Sequence, residues 1–417
     1  MDQLYLDTAA SAPVRREALE AAWPYLAGAF GNPSSHHEFG RVSSEALEDA
    51  RARVARVLGM RSTDIVFTGG GTEAANLAVI GMALGGLEDR VEGAADNGRS
   101  HDYRRPAGGA GDGRAVGRRE RRHIVTSPLE HEAVLASAEY LRRRHGFAVS
   151  FVDVESDGTV TPEALRAALR EDTAVVSLGY ANNEIGTVAD VSTLAGVAHS
   201  VGAHVHTDAV QAAGWLPLAG LGVDAITLAG HKVGAPKGIG AAAIRARIPV
   251  EPLIHGGGQE SGRRSGTENV ALAVAFATAL ELTEAERVDA ARRVALIRDD
   301  FIAEVLAQVP GVILTGAQPT GSGSTRNPNH ASFCFSRTSG EAVLLELERL
   351  GVTASSGSAC AVGSDEPSHV LLALGIDAEV AKTSVRFTFP ASITAEQGAA
   401  ASAAVVEAAT RLSLAFS

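Results

Sequence analysis

Through most of the chain, short apolar runs alternate with stretches of helical periodicity. The apolar runs at 65–67, 124–126, 149–152, 174–178, 204–206 and 225–228 read as strands. Apolar positions at helical spacing predict helices at 16–26, 45–58, 73 to about 84, 165–168 and 194–199. Strands separated by helices imply βαβ units and a mostly parallel sheet covered on both faces, an α/β fold. After the glycine-rich stretch 256–267 the pattern changes. A long helical region is expected from 270 to about 306, then strands at 332–336 and 384–389, which suggests a second, smaller α/β domain. The domains expected are an N-terminal arm at 1–15 that packs with the small domain, a large domain at 16–256 and the small domain at 257–417.

Residues 85–122 depart from this pattern. They are rich in glycine and arginine and end in RRERRH, and from Arg104 to Arg122 carry seven arginines against two acids. With little to bury, the segment reads as a surface insertion.

Composition narrows the class. Of 417 residues, 45% are hydrophobic and 21% charged, as in water-soluble globular chains. The net charge of −12 argues against general binding to nucleic acid or membrane surfaces. The first residues, MDQLYLDTAA, lack the basic start and apolar core of a signal peptide. No run reaches the roughly eighteen apolar residues of a membrane span. The two cysteines, Cys334 and Cys360, have no metal-site or disulfide-framework spacing, so a reducing cytoplasm is the expected setting.

The candidate chemistry gathers at strand ends, where open parallel sheets bind ligands. In AITLAGHKVGAPKGIG (225–240), an apolar run breaks at Gly230 and delivers His231 and Lys232 to a turn. A lysine there is poorly solvated, so its pKa should fall, as Schiff-base chemistry with an aldehyde requires. Alone, it would more readily be a surface residue capping a strand. Its company is what counts. Asp208 and Gln211 follow the run 204–206, Asn182, Asn183 and Glu184 follow Tyr180, and His131 follows 124–126. TGGGT at 68–72, between a strand and a helix, sets up an anion-binding turn. Cys360 lies in SSGSACA, a polar setting where a thiolate would be exposed, whereas Cys334 in FCF reads as packing.

These motifs resemble the cysteine desulfurases of the NifS/IscS type, pyridoxal phosphate enzymes of the class V aminotransferase family. The resemblance rests on LYLDTAASAPV, GNPSSHHEFGR, VFTGGGTEAANLAV, EHEAVL, ANNEIGT, HTDAVQAAG, AGHKVGAPKGIG, HGGGQESGRRSGTENV, SSGSACAVGSDEPSHVL and SVRFTF, in that order. It implies the pyridoxal phosphate-dependent transferase fold type I. The cofactor would be pyridoxal 5'-phosphate, with Lys232 as its covalent attachment and proton carrier. Asp208 would pair with the pyridine nitrogen, His131 would stack on the ring, and Gln211 would reach the phenolic oxygen. Gly71, Thr72 and His231 would hold the phosphate, joined by Thr267 from the second subunit of a homodimer. Asn183 and Arg386, helped by Asn32, would bind the carboxylate of L-cysteine. Cys360 would take the sulfur as a persulfide, releasing alanine, and pass it to an acceptor protein in iron–sulfur assembly or thiolation. The alternatives on the same fold are a selenocysteine lyase or an aminotransferase, and, from another class, a sulfur-relay protein that no longer turns over. In one departure from the family pattern, Ala229 stands where many relatives place a serine on the phosphate.

Overall fold

The computed structural model describes residues 3–88, 121–319, 325–336, 338–357 and 366–415. Most of the arginine-rich insertion, and Cys360 with its neighbours, lie outside the described residues.

A seven-stranded sheet forms the larger layer. Its order is Ile65–Thr68, Gly240–Ile244, Ala225–Ala229, His204–Asp208, Thr173–Ser177, His123–Thr126 and Ala148–Phe151. Only Gly240–Ile244 runs against the rest. The central strands are buried from end to end, which is why they read as continuous apolar runs rather than alternating ones. In Gly240–Ile244 the alanines at 241–243 keep the sheet face shallow, so the helix beginning at Gly71 packs closely on it.

Two histidines inside the sheet are satisfied by hydroxyls of neighbouring strands. His206 meets Ser177 Oγ at 2.8 Å and Thr227 Oγ1 at 3.0 Å. His123 meets Thr173 Oγ1 and Ser150 Oγ, both at 2.9 Å. Burial pushes His206 down to about 3 and His123 down to about 4, so both stay neutral.

The second sheet is antiparallel, in the order Ser355–Ser356, Ser384–Thr388, His330–Phe335 and Val312–Leu314. Its core is aromatic, with Phe301 packed against Phe333, Phe387 and Phe389. One helix, Val270–Gln308, serves both layers: its first part packs in the core beneath the large sheet and its later part under the small one. The N-terminal arm reaches the small sheet side, where Leu4–Tyr5 pairs in parallel with Val352–Thr353.

Several boundaries differ from the sequence reading. The helix expected from 45 begins at Glu38, capped by His37 Nδ1, which accepts from Gly40 N. Its first turn exposes Phe39 and Val42, so the buried stripe that reveals a helix starts only later. The helix expected at 73–84 begins at Gly71, widens into a π turn at Leu77–Gly81 and continues as Met82–Glu88. That helix, and Arg122, whose Nη1 donates to His145 O at 2.7 Å, trim both ends of the insertion expected at 85–122. Asp208 is the last residue of its strand rather than the residue after it.

The buried histidines give stability a pH dependence with a definite sign. Their folded pKa values are depressed, so in the unfolded chain they take up protons near pH 6.5 that the folded chain refuses. Below that pH the unfolded state gains, and stability falls towards the folded pKa values. Denaturant midpoints should therefore drop between about pH 6.5 and pH 5, and His206→Asn, though less stable at neutral pH, should drop less. Parallel falls for the two proteins would refute this.

Candidate active site

Strands of the large sheet end on one cavity of about 370 Å³. Nine residues expected from the sequence line it: Gly71, Thr72, His131, Asn183, Asp208, Gln211, His231, Lys232 and Arg386. Ala9 and Ala10 of the N-terminal arm close one side.

Lys232 ends the 3-10 turn Gly230–Lys232 that directly follows the buried strand Ala225–Ala229. Its Nζ donates to Ala10 O at 2.9 Å and also to Ala9 O. The sequence contains only three lysines, Lys232, Lys237 and Lys382, and Lys232 alone lines the cavity. Arginine, which supplies the rest of the basic charge, stays protonated and cannot act as an amine nucleophile. Gln211 Nε2 donates to the same Ala9 carbonyl at 3.1 Å.

Asp208 Oδ1 accepts from Val210 N at 2.9 Å. Burial raises its pKa, opposed by that bond and by the nearby His131 and Lys232. His131 caps the helix Glu132–His145, its Nδ1 accepting from Ala133 N at 3.1 Å. With Nδ1 as the acceptor, the ring proton sits on Nε2. His231 is pushed down to about 4 by burial and by the charges of Lys232 and Lys237, so it is a neutral hydrogen-bonding group.

Arg386 reaches the cavity from the small sheet. Nη2 bonds Asp7 Oδ1 at 2.8 Å and Nη1 donates to the Asn183 carbonyl at 3.0 Å. Its Nε is buried with no hydrogen-bond partner, so one donor is left over for an anion.

The turn Gly69–Gly71 is braced by Glu73, whose Oε2 accepts from Gly69 N at 2.7 Å and whose Oε1 accepts from Arg264. A Cβ at Gly71 would lie 3.0 Å from Ala229 Cβ and 3.3 Å from Val210 Cγ2, so only glycine keeps the turn close to the strand end.

Two of the expected residues that are described, Asn32 and Thr267, are not in the cavity wall. Asn32 is exposed, its Oδ1 accepting from Ser34 N within a turn. Thr267 is exposed on the loop before the long helix. Cys360 lies outside the described residues. Conversely, Glu130 lines the cavity unanticipated, although it stands next to His131 in EHEAVL. It accepts from Gly179 N at 2.9 Å, and burial, with the Asp208 charge nearby, raises it to about 8.

The chain matches the model of the family described as aminotransferase class-V over residues 4–92 and 113–397. The chain belongs to the aminotransferase class-V family. Among its relatives is the cysteine desulfurase IscS of Dictyoglomus turgidum, 40% identical over 93% of this chain and 89% of that protein. Among solved structures, a NifS-like protein superposes with a TM-score of 0.82 at 30% identity, covering 98% of this chain and 100% of the other. A structure described as SspA in complex with cysteine gives a TM-score of 0.74 at 29% identity, over 93% and 99% of the two chains. The match covers both sheets, so this class-V member has the pyridoxal phosphate-dependent transferase fold type I.

Pyridoxal phosphate is the cofactor of this class-V group, and the cavity fits it. An amine, a buried carboxylate for a cationic ring nitrogen, a capped histidine and a braced glycine turn for a phosphate all face one space. Ala229 offers that phosphate no hydroxyl. Ala229→Ser should tighten cofactor binding by about 1 kcal/mol, roughly fivefold, in equilibrium titration. Unchanged or weaker binding would show that the phosphate does not sit beside Ala229.

Proposed function

We propose that the chain acts as a homodimeric cysteine desulfurase in the cytoplasm, converting L-cysteine to L-alanine and carrying the sulfur as a persulfide on Cys360 to an acceptor protein. The observation that carries this reading is the meeting, in one cavity, of the lone cavity lysine with Asp208, His131 and Arg386. When bound, pyridoxal phosphate supplies an aldehyde for amines and a ring that takes up electrons released at the substrate's Cα.

The chain's own residues do the rest. Lys232 Nζ holds the cofactor and moves a proton at the substrate. Asp208 stays ionised opposite a cationic nitrogen, because a buried carboxylate gains most from a charge at close range. His131 would lie against the ring, with its own proton on Nε2. Thr72, His231 and the Gly71 turn hold the phosphate, and Gln211 orients the phenolic oxygen. Arg386, with Asn183, holds the substrate carboxylate. Cys360 Sγ takes the sulfur: the C–S bond of L-cysteine breaks, an S–S bond forms, and the electron pair of the broken bond with a proton ends on Cβ of alanine. No outside oxidant is needed.

A second copy is supported by the surface. Trp23 is 68% exposed and Phe30 72%, with Leu26 and Phe39 also exposed, and Phe30 stacks on Phe39. Thr267, exposed here, would complete the phosphate site of the partner, and Asn32 would serve from its turn as substrate helper. The acceptor would be an iron–sulfur scaffold or a thiolation enzyme.

Cofactor-loaded protein given L-cysteine and a thiol reductant should yield alanine and sulfide in equal amounts. Cys360→Ser should cut both by about 10³-fold or more while keeping the cofactor's visible absorption, and Lys232→Ala should lose that absorption. Keto acid without sulfide would instead make the protein an aminotransferase.

A further inference from the structure

The small-sheet strand His330–Phe335 pairs with Ser384–Thr388, His330 lying opposite Thr388 and Ser332 opposite Arg386. Opposite residues share a face and side chains alternate along a strand, so His330, Ser332, Arg386 and Thr388 stand on one side. The residues between them, Ala331, Phe333, Val385 and Phe387, fill the aromatic core on the other. His330 is only 1% exposed, yet it faces away from that core, towards the loop after Tyr180.

Its Nε2 lies 3.2 Å from the carbonyl oxygen of Asn183, the same oxygen that accepts from Arg386 Nη1. A carbonyl only accepts, so the ring proton is on Nε2 and His330 is the donor. Nδ1 is buried without a hydrogen-bond partner among the described residues. Burial, with the charges of Arg326 and Arg386, pushes the His330 pKa well below its ordinary value, so the ring is neutral and its one donor is spent on Asn183. Neighbouring bonds draw the same loop onto the segment before His330. Arg326 Nη1 donates to Ile185 O at 3.0 Å, and Asn327 N to Gly186 O at 2.7 Å.

We infer that His330 is a positioning residue for the substrate carboxylate: by holding the Asn183 carbonyl it sets where Asn183 and the Arg386 guanidinium stand relative to each other. The inference rests on the reading of Arg386 and Asn183 as the carboxylate site. Arg386 comes from the small sheet and Asn183 from the loop after Tyr180, so their spacing depends on what joins the two. Two donors on one carbonyl oxygen fix it more tightly than one, and a grip on a carboxylate weakens quickly when its groups drift apart. His330 is not in the cavity wall, so its effect is confined to ligands that bring a carboxylate to Arg386.

The test titrates cofactor-loaded protein with L-alanine, the proposed product, and with L-alaninamide, which keeps the amine and lacks the carboxylate. The cofactor's visible absorption reports binding. His330→Leu and His330→Phe delete the donor, whereas the amide nitrogen of His330→Gln can still donate. Both donor-less variants should bind L-alanine about tenfold more weakly and L-alaninamide unchanged within about twofold. KM for L-cysteine should rise by a similar factor, with a smaller change in kcat. His330→Gln should recover most of the lost affinity, and no recovery would overturn the inference by showing that the donor is not what matters. A merely looser fold weakens both ligands alike, so equal weakening overturns it too, as does undiminished L-alanine binding in either donor-less variant. An unmodified protein that binds the two ligands equally would remove the carboxylate site, and the inference with it. If the unmodified protein prefers L-alanine but makes no sulfide from L-cysteine, the desulfurase reading fails while the titrations still decide on His330.

Discussion

Residues Leu4 to Ser11 hold the two sheets together at the cavity, and the site depends on that contact. Leu4–Tyr5 adds to Val352–Thr353. Leu6 is fully buried in the aromatic core of the small sheet. Asp7 pairs with Arg386, and the carbonyl of Ala9 accepts from both Lys232 and Gln211. A short, otherwise featureless arm thus aligns a cation from one sheet with an amine from the other. A segment with so few residues in regular structure is ordered only because its backbone groups are spent in this way.

Around that contact, the cavity sorts its groups by charge. The neutral ones are His231, held uncharged to about pH 4, and Glu130, whose carboxyl is raised to about 8. The charged ones face specific partners, Arg386 against Asp7 among them. Burial raises the Asp208 pKa, opposed by its hydrogen bond from Val210 N and by the nearby His131 and Lys232. A low-dielectric pocket magnifies both effects, so a cationic ring and an anionic phosphate entering it meet groups already arranged for their charges.

Much of this was legible in the sequence, for a physical reason: the chemistry sits where buried strands end. Strand 225–229 announces itself by an unbroken apolar run, and the breakers after it mark where Lys232 must emerge. Asp208, His131 and Asn183 follow the same rule at neighbouring strands. The arm's role was hidden, because Ala9 and Ala10 act through backbone carbonyls across more than two hundred residues, as in the bond from Lys232 Nζ. Glu130 and Glu184 were quoted within motifs but their burial could not be read from a local pattern, since a Glu in a loop is ordinarily solvated. The early start of the helix at Glu38 was masked because its first turn faces outward.

The central claim is that Lys232 is the amine to which the cofactor is joined. Borohydride reduction of the cofactor-loaded protein, followed by peptide mapping, tests it with little ambiguity because only Lys237 and Lys382 compete. The geometry predicts a pyridoxyl group on Lys232 alone, since Lys237 is exposed and Lys382 pairs with Glu379. A label on either of those lysines, with Lys232 unmodified, would contradict it.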